Sequence, residues 1–290
     1  MTPITSPPPL PERPVTGHKG LFGRVLVVGG TDGMIGAPVR AGTAALRMGS
    51  GLVQVAVPRS ILPYALSITP ELIGLGLGNA AGKDELLQAA EAADAVVIGP
   101  GLGRTPEAMG RLTRLVRLEK PMVVDADALN LLAAQKRWPT YFRAMGVLTP
   151  HPGEMSRLNK LLGRGKAPAD EACRIDNAVA AAKAFGQVVV LKGDRTVVTD
   201  GDRVFVNDTG NSALSKAGTG DVLSGILGSL LGQGMDRFDA ACAAVRLHGL
   251  AGEVAGERMG LRSVLASEVA DAIPEAIRRY EARPRERGVR

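Results

Sequence analysis

Cysteine and aromatic residues are scarce: the chain of 290 residues has two Cys, five Phe, three Tyr and one Trp. Two cysteines exclude a disulfide framework, and neither Cys173 nor Cys242 stands in a Cys-x-x-Cys or Cys/His spacing that would hold zinc. Both are expected as core-side thiols in a reducing cytosol. With so few rings on which to stack bases, the net charge of +6 does not read as a nucleic-acid surface. A small polyanion is the better partner. No basic start precedes an apolar run, and no eighteen-residue stretch is uninterruptedly apolar. Neither a signal peptide nor a membrane span is read, so a soluble, cytoplasmic protein is expected.

Two familiar nucleotide motifs are missing as well. Gly82-Lys83 and Gly165-Lys166 are followed by Asp84 and Ala167, and neither lysine closes a Gly-x-x-x-x-Gly-Lys loop, so there is no Walker loop. The glycine turn from Gly29 to Gly36 would suit a short-chain nicotinamide reductase, but such an enzyme needs a Tyr with Lys four residues on. At that spacing Tyr64, Tyr141 and Tyr280 are followed by Ile68, Met145 and Pro284. His18, His151 and His248 are too scattered for a metal site, and His248 reads as a satisfied packing residue on an apolar helix.

What is present is alternation. Short Val/Ile/Leu runs at 24–28, 52–57, 95–98, 122–124, 147–148 and 188–191 read as buried strands. Helical patterns lie at 37–48, 83–92, 106–118, 128–134 and 169–185, which argues for a largely parallel sheet covered on both faces. Asp200-Gly201-Asp202 separates runs 196–199 and 203–206, a hairpin expected to add an antiparallel edge. Helices are expected at 221–231, 239–257 and 267–280. Prolines at 3, 7, 8, 9, 11 and 14 exclude a helix or central strand, so 1–17 is expected as a mobile arm. One folded unit, 18–280, follows, and a basic tail, 281–290, is expected to fray.

The most informative stretch is Ser215-Lys216-Ala217-Gly218-Thr219-Gly220-Asp221. It ends a loop with exposed amides and sets one carboxylate at the start of an apolar helix, the outline of a phosphoryl-transfer site. Gly218 and Gly220 remove side chains that would block a phosphate, and Asp221 is suited to accept a proton from a hydroxyl or to orient a hydrated cation. Gly225 and Gly228 are expected to let another backbone approach. Gly99-Pro100-Gly101-Leu102-Gly103 reads as a second anion cradle. Asp125 and Asp127 set two carboxylates beyond the fourth strand, near magnesium or as helix caps. Thr149-Pro150-His151-Pro152-Gly153-Glu154 reads as a stiffened ligand-contacting loop, and Lys192-Gly193-Asp194-Arg195-Thr196 as a nucleotide loop with two cations.

Taken in order with His18-Lys19-Gly20, Gly23-Arg24-Val25, Gly36-Ala37, Ala44-Ala45-Leu46-Arg47 and Val190-Leu191, these motifs resemble the ADP- or ATP-dependent NAD(P)H-hydrate dehydratases, from about residue 18 to 273. The resemblance implies a ribokinase-like three-layer α/β sandwich with a mostly parallel central sheet and helices on both faces. It implies metabolite repair: the C6 hydroxyl of the S form of hydrated NADH or NADPH is phosphorylated and leaves as phosphate, with ADP the favoured donor over ATP and Mg2+ as cofactor. By the same resemblance Asp221 is the catalytic base and touches substrate; Ala37, Gly101, Gly103 and His151 border the hydrated dinucleotide. Lys192, Gly193, Asp194, Arg195, Thr196 and Gly220 contact the nucleotide, and the amides of Ala217, Gly218, Thr219 and Gly220 form an anion hole. No protein ligand set for a metal is implied. A homotetramer is expected, with the epimerase a separate chain because no epimerase domain precedes this one. Ala217 stands where the family often has Gly. A ribokinase-like kinase of a small vitamin-precursor alcohol is the alternative enzyme, and a nucleotide-binding regulator would fit if Asp221 were only a cap.

Overall fold

Strands apolar on both faces can be buried only in a sheet covered on both sides. The computed structural model describes residues 2–78 and 82–282. Among these, ten strands form one sheet: β1 (Thr2–Ile4), β2 (Arg24–Val28), β3 (Leu52–Pro58), β4 (Ile73–Leu77), β5 (Ala95–Ile98), β6 (Pro121–Val124), β7 (Met145–Leu148), β8 (Val188–Leu191), β9 (Val197–Thr199) and β10 (Arg203–Val206). Their order across the sheet is β1-β10-β9-β8-β7-β6-β5-β2-β3-β4. Neighbours pair parallel except β8 with β9 and β9 with β10.

The helices are α1 (Gly36–Arg47), α2 (Leu62–Ile68), α3 (Gly82–Ala92), α4 (Pro106–Leu115), α5 (Ala126–Ala133), α6 (Pro152–Asn159), α7 (Glu171–Phe185), α8 (Thr219–Gly232), α9 (Arg237–Met259) and α10 (Ala266–Glu281). Successive strand residues feed opposite layers, as a period of two requires. Val25, Val27, Val55 and Val97 join α1, α8, α9 and α10 on one face, while Leu26, Val28, Val96 and Ile98 join α4, α5 and α7 on the other. The result is a three-layer α/β sandwich.

The six strands expected from Val/Ile/Leu runs are present, with ends shifted by at most two residues. β4 and α2 escape that reading, β4 because its sequence IGLGL carries two strand-weakening glycines. The hairpin is found, but it is not the edge: β1 pairs parallel with β10 outside it. The proline-rich arm is therefore not free. Pro3 is tolerated because β1 is an edge strand, the Tyr280 hydroxyl donates to the Pro8 carbonyl, and Arg13 stacks 3.8 Å above the Phe22 ring. Cys242 is buried as expected, but Cys173 is exposed on α7. The tail lies outside the described residues from 283 onward. Among the described residues no helix is long and apolar enough to cross a membrane.

Helix α8 packs against both α1 and the sheet and is buried nearly all round. A Cβ on Gly225 would lie 2.1 Å from the Ala41 carbonyl oxygen, and one on Gly228 would lie 2.3 Å from a Val97 methyl. The first is a backbone approach, as expected; the second is a side-chain contact. Gly225→Ala gains about 1 kcal/mol of helix propensity but forces two backbones apart, which typically costs about 1–3 kcal/mol. Net destabilisation is expected, read as a lower urea midpoint; an unchanged or raised midpoint would show that α1 and α8 separate freely.

Candidate active site

The parallel strands β2, β5, β6, β7 and β8 all end at one edge of the sheet, and the chemistry-bearing loops leave from there. The strand order reverses between β2 and β5, because the chain runs outward through β3 and β4 before returning to the other side of β2. Ligands collect at such a switch point. Here the loops after β2 and β5 interlock: the Gly30 amide donates to the Pro100 carbonyl at 3.0 Å, and a Cβ on Gly29 would lie 2.0 Å from that same oxygen. Gly101 takes φ +62, and a Cβ there would stand 3.2 Å from Ala37 Cβ. Gly103 lies beside Thr31, but its amide donates to Asp127 Oδ2 at 3.0 Å. Gly101 thus packs beside Ala37, and Gly103 lies against Thr31 of the loop after β2.

The next strands bring a buried ionic cluster. Asp125, after β6, accepts from Lys192 Nζ at 2.7 Å and from Ser224 Oγ at 2.7 Å. Glu154 Oε2 lies 3.9 Å from the same ammonium. Burial alone would raise the Asp125 carboxyl, but the Lys192 charge and hydrogen bonds from Lys192 and Ser224 hold it below the usual carboxylate range. Burial would depress the Lys192 ammonium, yet Asp125 and Glu154 keep it above its ordinary value, so the pair is ionised. Glu154 is pushed up to about 7, chiefly by burial. Asp125 stands at the N-cap position of α5 without a side-chain cap bond, and Asp127 is tied to Gly103 and Arg104, so the expected capping role of Asp125 is not observed.

Asp221 lies in the first turn of α8. Burial, then the Asp125 charge, pushes its carboxyl up to about 7 against the opposing pull of Lys192 and Arg40. The N-cap is Gly218, at φ +92, with no side chain capping the helix. First-turn amides without a side-chain cap and with the positive end of the macrodipole form an anion site. Thr219 is partly committed: its amide reaches the Lys216 carbonyl at 3.4 Å and its hydroxyl donates to the Leu214 and Lys216 carbonyls. Ala217 is exposed at the loop's tip. His248 does more than pack. Its Nε2 donates to the Thr219 carbonyl at 2.9 Å, and burial pushes the imidazole down to about 4, so it is a neutral tether between α9 and this loop.

A cleft of about 590 Å³ opens beside the anion loop, lined by Lys192, Gly193, Asp194, Arg195 and Thr196, by Gly220 and Thr219, and by His151. The expected nucleotide loop and the second half of the expected anion loop, Thr219 and Gly220, line this cavity, whereas Ala217, Gly218 and Asp221 are not among its lining residues. Its far wall is Asn207, Thr209, Gly210, Asn211 and Ser212, with Val245, His248 and Gly249 from α9. Sequence reasoning missed this wall; the polar run Asn207-Asp208-Thr209-Gly210-Asn211 between a strand and the Gly loop was its signal. Two expected contacts are engaged locally: Arg195 pairs with Glu171, and Lys192 is held by the cluster. His151 differs most. It caps α6, its Nδ1 accepting from the Gly153 amide at 2.9 Å and its Nε2 facing Glu154 Oε1 at 3.4 Å, while its own amide donates to Glu154. Nδ1 is committed to the cap, and the half-exposed ring lines the cleft. Residues 152–154, expected as loop, open α6.

A mostly parallel sheet covered by helices on both faces is a ribokinase-like architecture, and the chain superposes with TM-score 0.79 at 26% identity on a ribokinase-like superfamily protein from Enterococcus faecalis, covering 93% and 92% of the two chains. A family model described as NAD(P)H-hydrate dehydratase matches residues 25–275. The chain belongs to the NAD(P)H-hydrate dehydratase family. It is 43% identical over 281 residues to a bifunctional NAD(P)H-hydrate repair enzyme of Moorella thermoacetica, covering 94% of this chain and 52% of that protein. The chain thus spans about half the length of such bifunctional relatives. It is 40% identical to an ADP-dependent (S)-NAD(P)H-hydrate dehydratase of Neisseria meningitidis, covering 82% of this chain and 78% of that one. The crystal structure of the ADP/ATP-dependent NAD(P)H-hydrate dehydratase from Bacillus subtilis, co-crystallised with ATP/Mg2+, superposes with a TM-score of 0.78 at 32% identity, covering 93% and 94% of the two chains.

Proposed function

We propose that this protein is an ADP-dependent (S)-NAD(P)H-hydrate dehydratase that returns hydrated NADH or NADPH to the reduced dinucleotide. The observation that carries the reading is the half-buried Asp221 carboxylate in the first turn of α8, at the mouth of an uncapped amide loop, in a chain matched by the dehydratase family model over 25–275. Asp221 takes the proton of the C6 hydroxyl as its oxygen attacks the terminal phosphorus of ADP, and AMP leaves. The amides of Ala217, Gly218, Thr219 and Gly220 hold the charge on the transferring group. The ring nitrogen then donates its electron pair to C6, the C6–O bond breaks with phosphate leaving, and loss of the C5 proton to water restores the C5=C6 double bond. Ala37, Gly101, Gly103 and His151 border the dinucleotide, and residues 192–196 with Gly220 border ADP.

Magnesium fits only as an ion carried by the nucleotide. Among the described residues no three His, Cys, Asp or Glu side chains are grouped to hold a metal, and Asp125 is spent on Lys192 and Ser224. Carried on the nucleotide, such an ion would neutralise phosphate charge. We place the protein in the cytoplasm as a homotetramer, with an epimerase of the two hydrate forms as its functional partner.

With a base whose carboxyl is pushed up to about 7, turnover should rise about tenfold per pH unit below that value and level off above it, since only the ionised form accepts the proton. A pH-rate profile flat from 5 to 8 would remove Asp221 as the base. A kinase that stops at phosphorylation is excluded by products: AMP, free phosphate and reduced dinucleotide are expected in equal amounts, whereas a stable phosphorylated alcohol would support the kinase reading. The dehydratase naming of the relatives favours the first outcome.

A further inference from the structure

The cleft is poorly supplied with free positive charge for a site that takes a polyphosphate. Lys192 is held by Asp125 at 2.7 Å and faces Glu154 at 3.9 Å, Arg195 is paired with Glu171, and Lys216 donates to the Arg262 carbonyl at 2.6 Å. Three carboxyl groups, Asp125, Glu154 and Asp221, surround the one buried ammonium. Lys216 keeps its charge against a neutral carbonyl, but beside Lys192 a terminal phosphate would meet three carboxyl groups and one ammonium.

Arg40 corrects that balance. It lies on α1, one turn beyond Ala37, and reaches across to α8: a Cβ on Gly218 would stand 2.9 Å from Arg40 Nε and 3.1 Å from its Cδ. The guanidinium therefore lies directly against the anion loop. Its charge acts on Asp221, and among the described residues it has no hydrogen-bond or ion-pair partner. A half-buried, unpaired arginine beside unpaired first-turn amides has its planar fork of donors available for phosphate oxygens. We propose that Arg40 contacts the terminal phosphoryl group of the nucleotide and, as that group moves to the substrate hydroxyl, holds the charge spread over its equatorial oxygens. This deepens the dehydratase reading and rests on it for the identity of the acceptor, but the phosphate contact itself does not depend on that acceptor.

The proposal separates ADP from AMP, which lacks the terminal phosphate. In calorimetric titrations with magnesium, Arg40→Gln should bind ADP about tenfold or more weakly, the usual cost of losing a charge-assisted hydrogen bond, and should bind AMP within about twofold of wild type. Arg40→Lys should recover part of the ADP affinity, because it keeps the charge and loses the fork. The rate with bound ADP should fall by about one to two orders of magnitude in the glutamine variant. An arginine that only lowers the Asp221 pKa would leave ADP and AMP affinities unchanged, and one that only supports the fold would weaken both together; either result overturns the proposal. An ADP-selective loss in Arg40→Gln, together with no dehydration of hydrated NADH by the wild-type protein, would leave the Arg40 contact standing and sink the dehydratase reading instead.

Discussion

Asp221→Asn should lower dehydration turnover by about two to four orders of magnitude, the usual range for a lost general base, while the fold remains intact. Asparagine keeps the size of the side chain but cannot accept the hydroxyl proton. No cap is lost, because the N-cap of α8 is Gly218 and no side chain caps the helix. ADP affinity should hold or rise, since a negative charge near the phosphates is removed. Stability carries a second signature. The native carboxyl is pushed up to about 7 from 3.8, so between those values the folded state binds more protons than the unfolded one. Wild-type stability should therefore fall as pH rises through that window, and the asparagine variant should show a shallower slope, the part due to Glu154, also pushed up to about 7, remaining. Urea unfolding at pH 5 and pH 8 measures it. A variant with near-normal turnover would end the catalytic assignment, and one with an unchanged slope would end the account of why this carboxyl is poised near neutrality.

The second large effect is expected at Lys192, and on stability before nucleotide affinity. Its ammonium, part-buried at the cleft wall, is paired with Asp125, which is 1% exposed. Removing one partner of a buried pair leaves an uncompensated charge and typically costs about 3–5 kcal/mol, whereas replacing both partners by neutral groups is often close to neutral. Lys192→Met should therefore lower the unfolding free energy by about 3 kcal/mol or more, and adding Asp125→Asn should restore most of it. Urea denaturation of the two single variants and the double variant forms the cycle. Additive losses would mean that the pair is not a coupled unit.

The difference between Lys192 as a nucleotide cation and Lys192 as the centre of a cluster shows where sequence reading stops. Strands β2, β3, β5, β6, β7 and β8, the Gly-rich loops and the apolar helix after Asp221 are legible because each is a local pattern of period, turn residue or missing side chain. The cluster is not local: Lys192 and Asp125 are 67 residues apart and Ser224 and Asp125 are 99 apart. Only the parallel order of β6, β7 and β8 brings them to one edge. Arg40 is invisible for the same reason, since on α1 it reads as one more solvated charge until α8 packs across it. The start of α6 was hidden by chemistry rather than distance. Pro150-His151-Pro152-Gly153 carries turn residues, yet Pro152 suits the first helical position and Glu154 closes a capping box with His151. The arm's prolines excluded a central strand correctly and left an edge strand open, which is what β1 takes.

The central claim is that a phosphoryl-transfer site built around Asp221 performs a dehydration. Absorbance of the reduced nicotinamide ring, followed after hydrated NADH is mixed with the protein, ADP and magnesium, tests it most directly. The account predicts that wild-type protein restores the reduced-nicotinamide absorbance only when nucleotide is present and that Asp221→Asn restores it at least about a hundredfold more slowly. No gain of absorbance by the wild-type protein with either ADP or ATP would contradict it.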